Sequence, residues 1–219
     1  MIRYSGSFCF CLLMFVLSSK AQLPFEVFTG HRRTTADLMF FKYIKHKEGS
    51  SPFLFFNRNR ASVDYRQTSV QYMPQFGFTE ALSYNHKSLK GFAPVVLIQI
   101  LNNGTFPKAG IQKAATKKDF LFFSWLVTNL RKNPGIDWFL LMRFTPKITE
   151  KTKIFLQAET IHTYPDLKFK TPNSTLRARA GLQWQRFQTG AGCDQILSGK
   201  SVSHRNNTGI FVRYNFNGN

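Results

Sequence analysis

The constraint that most narrows what this chain can fold into is a two-residue alternation of apolar and polar side chains. It is clearest near the C-terminus, where Ile210, Val212, Tyr214 and Phe216 share one face of an extended segment. Gly209, Phe211, Arg213 and Asn215 share the other. The pattern recurs in 176–185, with Leu176, Ala178, Ala180, Leu182 and Trp184 opposite Arg177, Arg179, Gly181, Gln183 and Gln185. It recurs again in 136–144 and 153–160, where Ile136, Trp138, Leu140 and Met142, then Ile154, Leu156 and Ala158, form the apolar sides. No stretch carries a convincing 3.6-residue stripe, and none after residue 21 approaches 18 consecutive apolar residues. The chain reads as all-β.

Residues 1–21 read as an export signal. Arg3 supplies the positive start, Phe8 to Leu17 a short apolar run, and Ser19 and Ala21 the small residues before a cleavage point. The run is too short for a helix crossing roughly 30 Å of hydrocarbon. Cys9 and Cys11 leave with the signal, so the mature chain keeps only Cys193 and has no internal disulfide. An exported domain of this size must then draw its stability from burial, metal or a membrane. Arg3 and Lys20 also leave, while all 11 acids stay, so the net charge of +19 becomes +17. For an exported chain that excess points to anionic membrane surfaces rather than to nucleic acid.

Twelve segments are expected as strands: 23–29, 36–45, 52–60, 74–85, 91–101, 106–114, 119–130, 136–144, 153–160, 176–185, 187–194 and 208–216. Ten strands is the close alternative, because 52–73 could hold one strand, two, or a folded loop. Twelve allots about 16 residues to each strand and connection, compatible with tilted strands of about 9–11 residues. Traced back from a C-terminus placed in the periplasm, the two longest late connections, 161–175 and 195–207, share one rim. The tight turns share the other, an asymmetry of outer-membrane barrels. Asn102-Asn103-Gly104, Asn133-Pro134-Gly135 and Thr145-Pro146 supply turn chemistry at proposed reversals. Pro94 breaks the pattern, which implies either a bulge or a later strand start.

In hydrocarbon every backbone amide needs a protein partner, so β-structure there must close on itself. Tyr72, Tyr84, Trp125, Trp138, Tyr164, Trp184 and Tyr214 mostly fall near strand ends, where aromatic rings suit a membrane–water interface. With its signal, its alternating segments and its Tyr214-Asn215-Phe216 ending, the chain resembles small bacterial outer-membrane β-barrel proteins. The resemblance covers nearly the whole mature chain, 22–219, as one domain. It implies a closed antiparallel transmembrane β-barrel placed in the bacterial outer membrane by the barrel-insertion machinery, with outer-membrane lipid as its surroundings. The Asn217-Gly218-Asn219 overhang departs from the pattern, since such barrels usually end on the aromatic itself. Members of this broad class include pores, lipid enzymes and adhesins.

Asp137, Arg143, Lys153, Glu159, Arg177, Arg179, Asp194 and Arg213 are the charges expected to face the lumen. Mixed signs favour an internally paired, filled interior. A path or site for a small anionic solute would centre on Arg143, Arg177, Arg179 and Arg213. Basic connections, among them Arg32, Arg33, Lys168 and Lys170 on the outer rim, are candidates for lipid phosphates. Lys45, Lys47, Lys87, Lys90, Lys117, Lys118, Lys147 and Lys151 fall on the inner rim. His31, His162 and His204 all fall in outer-rim connections and carry the enzymatic alternative: a metal site, or a base for Ser201 or Ser203 with Asp166 as orienter. No HExxH, GxSxG, P-loop or CxxC pair supports catalysis. Cys193 lies on an apolar face and reads as a packing residue.

The reading is therefore a barrel of about 12 strands with a filled interior and no cofactor or metal. Its role is structural, or the binding or passage of a small anionic solute. Two alternatives stay open: a barrel enzyme hydrolysing lipid or peptide at the outer rim, and a soluble exported barrel holding an apolar ligand.

Overall fold

A computed structural model describes residues 22–46, 49–65, 75–131, 134–165, 173–198 and 203–217. The expected signal, residues 1–21, lies outside them, as do Tyr72, Lys168 and Lys170. The strands are β1 (Gln22–Gly30), β2 (Arg33–His46), β3 (Gly49–Asp64), β4 (Gln75–Tyr84), β5 (Phe92–Leu101) and β6 (Gly104–Lys117). They continue as β7 (Phe120–Asn129), β8 (Ile136–Phe144), β9 (Thr152–Tyr164), β10 (Asn173–Trp184), β11 (Phe187–Ser198) and β12 (Ser203–Asn217). Each pairs antiparallel with its sequence neighbours, and β1 closes on β12 from Gln22↔Asn217 to Gly30↔Gly209. Among the described residues one helical turn, Lys87–Leu89, sits between β4 and β5. The described strands form a closed twelve-stranded barrel, and the ten-strand alternative is set aside.

Alternation decides which way each side chain points. On β12, Phe211 is fully buried and Arg213 is 4% exposed, while Ile210 is 66% exposed. The same division runs through β8, where Phe139 and Leu141 are buried and Trp138 and Met142 face out. Exposed Phe25, Val27, Phe78, Val96, Ile98, Ile111, Leu126, Leu156 and Leu182 place large apolar side chains on strand after strand. An apolar exterior this extensive excludes a water-soluble barrel and matches the lipid-facing band of a transmembrane one.

Prolines fall where a ladder has ended. Pro94 pairs with Ile111 on β6 without a bulge, but the β4–β5 ladder stops at Val95. Pro24 likewise lies one residue past the end of the β1–β2 ladder. Neither expectation for Pro94 holds, because a proline beyond its ladder removes no donor that a neighbour needs.

The sequence pattern stops short of the observed strands at the rim opposite the chain termini, the distal rim. β9 runs to Tyr164, β10 starts at Asn173, β11 ends at Ser198 and β12 starts at Ser203. The expected connection 195–207 shrinks to 199–202. Pairing continues there beyond the apolar band, among polar residues that carry no alternation to read. The distal connections still include the longest, 65–74 and 165–172, while the terminal rim has none longer than 85–91 and 145–151.

Inward-facing glycines let the wall coil tightly. A Cβ on Gly209 would run into the backbone of Thr29 and Gly30 on the neighbouring strand. Gly209→Val is expected to cost about 1–3 kcal/mol through overpacking, read as loss of the heat-modifiable folded band on a gel. Ala191→Val, at an exposed outward position, is expected to leave that band intact.

Candidate functional site

The interior is divided. One part is a plug of apolar side chains from β2 through β8: Met39, Phe56, Val95, Phe123, Trp125, Phe139 and Leu141. Phe56 stacks on Phe123 with centroids 5.6 Å apart and meets Trp125 edge-on at 5.1 Å. Trp125, expected at a membrane interface, is 5% exposed inside this plug. It occupies the inward register of β7, whereas Trp138 and Trp184 face outward.

The other part is a belt of arginines and carboxylates on β1–β3 and β9–β12. Several pairs are direct cross-strand neighbours: Arg213 beside Glu26, Arg177 beside Glu159 and Arg60 beside Asp37. Others reach across. Arg58 holds Asp37 with Nε and Nη2 at 3.1 and 2.7 Å, and Glu159 with Nη1 and Nη2 at 2.9 and 2.8 Å. Strands β3 and β9 stand six apart in the ring of twelve, so this pair spans the barrel. Arg179 bridges Glu26 at 3.0 Å and Asp194 at 2.8 Å, with its guanidinium 3.9 Å from the Phe28 ring centroid. Arg213 binds Glu26 and Gln157 and stands 4.7 Å over Phe155. Fork-shaped guanidinium pairing and ring stacking offset the cost of taking these charges out of water.

Of the sequence-identified lumen arginines, Arg179 and Arg213 are held within this belt, and Arg177 joins it through Glu159. Arg143 differs. It donates to Gln157 Oε1 at 2.9 Å and makes no ion pair among the described residues. The alternation in 136–160 and 176–194 exposed Asp137, Glu159 and Asp194, but Glu26, Asp37, Arg58, Arg60 and Lys108 were missed. Arg58 and Arg60 repeat the i, i+2 spacing of Arg177 and Arg179, which was the available signal. Lys108 pairs with Asp137, both buried.

At the distal mouth the belt is not balanced. Arg33, Arg60 and Arg177 line a cavity of about 230 Å³ with Thr35, Ser62, Gln75 and Asp194. The Nε groups of Arg33, Arg60, Arg177 and the neighbouring Arg205 are buried without a hydrogen-bond partner. Asp194 already serves Arg179 and stands 3.6 Å from Arg33 and 3.8 Å from Arg177. A buried donor without an acceptor is costly, so several at one mouth form a place ready for an anion.

Arg33 thus faces the lumen rather than lipid headgroups, because β2 begins there and its odd positions point inward. Arg32 sits 3.7 Å from Asp64. Asn207, 1% exposed, pins this turn by accepting from the Arg32 and Arg33 amides at 2.9 and 3.2 Å.

The three histidines are not brought together. His31 lies in the β1–β2 turn, its Nδ1 accepting from the Thr208 amide at 3.1 Å. His162 and His204 belong to strands β9 and β12 rather than to connections, and both take outward registers. His162 stacks on Trp138 at 5.3 Å and bonds to Thr160 Oγ1 at 3.0 Å and Ser174 Oγ at 2.8 Å. Among the described residues no group of three His, Cys, Asp or Glu side chains could hold a metal. Ser201 and Asp166 lie outside the described residues. Cys193 is half-buried on the outward register, 3.6 Å from Thr208 Oγ1.

No family model and no curated protein matches the sequence. Among solved structures, the NanC porin aligns over 90% of this chain and 99% of its own, at 9% identity and a TM-score of 0.49. A mutant of the Rh. blastica porin aligns over 90% and 99%, at 9% identity and a TM-score of 0.27. At these scores the likeness carries no argument; the small transmembrane barrel stands on its own ladders and exterior.

Glu159 is the carboxylate on which the belt converges. Glu159→Gln leaves Arg58 and Arg177 short of a charge partner and is expected to destabilise the barrel by about 3–5 kcal/mol. Urea unfolding followed by tryptophan fluorescence measures the loss.

Proposed function

We propose that this chain is an exported, non-catalytic outer-membrane barrel that holds a small anionic solute at its distal mouth. The unsatisfied, buried Nε groups of Arg33, Arg60, Arg177 and Arg205 beside a cavity carry this reading. A carboxylate or phosphate group is the acceptor that suits guanidinium donors, through short charge-assisted bonds. The site is the distal edge of the belt, beyond the Arg58–Glu159 bridge and the apolar plug, so the solute is bound at the mouth of a filled lumen; passage requires that bridge to part. In this arrangement the terminal rim faces the periplasm and the distal rim faces outward, with the insertion machinery and outer-membrane lipid as partners.

Citrate and inorganic phosphate serve as probes for calorimetric titration of the detergent-solubilised barrel. Citrate is expected to bind, with Arg33→Gln and Arg60→Gln each weakening it by about 1.5–3 kcal/mol, the worth of a charged hydrogen bond. Lys153→Gln, on β9 near the terminal rim, is expected to leave affinity unchanged. Equal affinity in all three variants overturns the reading.

One observation favours the enzymatic alternative. His162 touches two hydroxyls, Thr160 Oγ1 and Ser174 Oγ, on the lipid-facing wall. That is the spacing of a base between a nucleophile and an orienting group. Release of fatty acid from a phospholipid by the wild-type barrel, absent in His162→Ala, supports that alternative. Absence of release from the wild type leaves His162 as an interfacial residue stacked on Trp138.

A further inference from the structure

The outer wall between β5 and β8 is not smooth. A groove of about 390 Å³ runs there, with Ile111, Phe122, Leu126 and Trp138 as walls and Ser124 at its floor. It exists because Ser124 is small where its outward neighbours are large. Ile111 is 54% exposed, Leu126 47% and Trp138 41%, so the groove opens toward the membrane. Its floor offers no unsatisfied polar group: Ser124 Oγ donates to the Phe139 carbonyl at 2.9 Å and accepts from Trp138 Nε1 at 3.2 Å. A polar ligand gains nothing from such a floor, whereas an acyl chain fills it.

One end of the groove is charged. Lys113 points outward at the last pair of the β5–β6 ladder, Phe92↔Lys113, with its Nζ 4.5 Å over the Phe92 ring. Among the described residues it makes no ion pair. The connections on either side carry Lys87, Lys90 and Lys118, and β6 ends on Lys117, against one acid, Asp119. The Ala114 amide donates to the Gly91 carbonyl at 3.3 Å, which brings the Lys87–Lys90 turn beside the end of β6. An apolar slot in the hydrocarbon band therefore leads down to a lysine cluster at the level of the headgroups.

We propose that this groove and the lysines beneath it bind one anionic glycerophospholipid of the leaflet at the terminal rim. One acyl chain lies against Ser124 and Trp138, and the phosphate meets Lys113 and Lys117. A zwitterionic lipid fills the same slot but brings its own ammonium against the lysines, so the site discriminates by headgroup charge.

Trp138 reports occupancy directly. Trp184→Phe removes the other outward tryptophan, and Trp125 points into the lumen at 5% exposure. The Trp184→Phe protein is reconstituted in vesicles with rising fractions of phosphatidylglycerol or phosphatidylcholine brominated at mid-chain. Half-quenching is expected at about a fivefold lower fraction of the anionic lipid, the effect of about one lysine–headgroup interaction. The double change Lys113→Gln/Lys117→Gln is expected to erase that preference, and Ser124→Leu to weaken quenching by both lipids. Heat-modifiable migration confirms that each variant is folded; the lysine changes lie on the surface and keep the test open if Ser124→Leu misfolds. Equal half-quenching by the two lipids, or a preference that survives loss of both lysines, overturns the proposal.

Discussion

Closure of β1 on β12 is the constraint on which everything else in this barrel depends. A strand edge left open in hydrocarbon would strand a row of amides and carbonyls with no water to receive them. The Gln22↔Asn217 to Gly30↔Gly209 ladder removes that edge. Once the backbone is satisfied by neighbouring strands, the outward side chains need only be apolar and the inward ones need only satisfy each other. Inward glycines, such as Gly209 against Thr29 and Gly30, let the wall bend enough to close.

The interior meets its own requirement in two different ways. Between β2 and β8 it is filled by interlocking rings, which need no partners beyond contact. Between β9 and β3, through β12 and β1, it is filled by arginines, which need acceptors. Glu26, Asp37, Glu159 and Asp194 supply them, and Arg58 carries the belt across the lumen to Glu159. At the distal mouth the arginines outnumber the carboxylates, and Asp194 is shared among three of them. Guanidinium Nε groups left without an acceptor are therefore gathered at one mouth, on Arg33, Arg60, Arg177 and Arg205. Catalysis gains less from this arrangement, because the imidazoles are dispersed around the wall.

Much of this is legible in the sequence, and the reason is the rigid period of a strand. Residues 153–160 and 176–185 declared their faces because one side meets lipid and the other a polar interior, and 136–144 did so through Asp137 and Arg143 on its inward side. The same segments showed Asp137, Glu159, Arg177 and Arg179 as lumen residues. β2 and β3 were harder to read. Phe53, Phe55 and Phe56 place aromatics on both faces, and Arg58 with Arg60 then alternates with Asn57 and Asn59, so neither side looks apolar. Glu26 was overlooked as a single acid in an aromatic strand. Beyond the hydrocarbon band alternation fades, and His162 and His204 looked like loop residues although the ladders continue past them.

The sequence by itself determined the all-β character and the inward or outward register of many side chains, while closure of the ring decided twelve strands over ten. The first two are local properties, set by a two-residue period and by turn residues between the periods. Which charges meet was decided only by the tertiary structure. Arg58 and Glu159 are 101 positions apart, and Arg179 and Glu26 are 153 apart. Their pairing follows from ring closure and strand stagger, which bring strands that are not neighbours together in the lumen. The unfilled Nε donors of Arg33, Arg60, Arg177 and Arg205 are likewise a property of the closed ring, because whether an Nε group meets an acceptor depends on where every neighbour is placed.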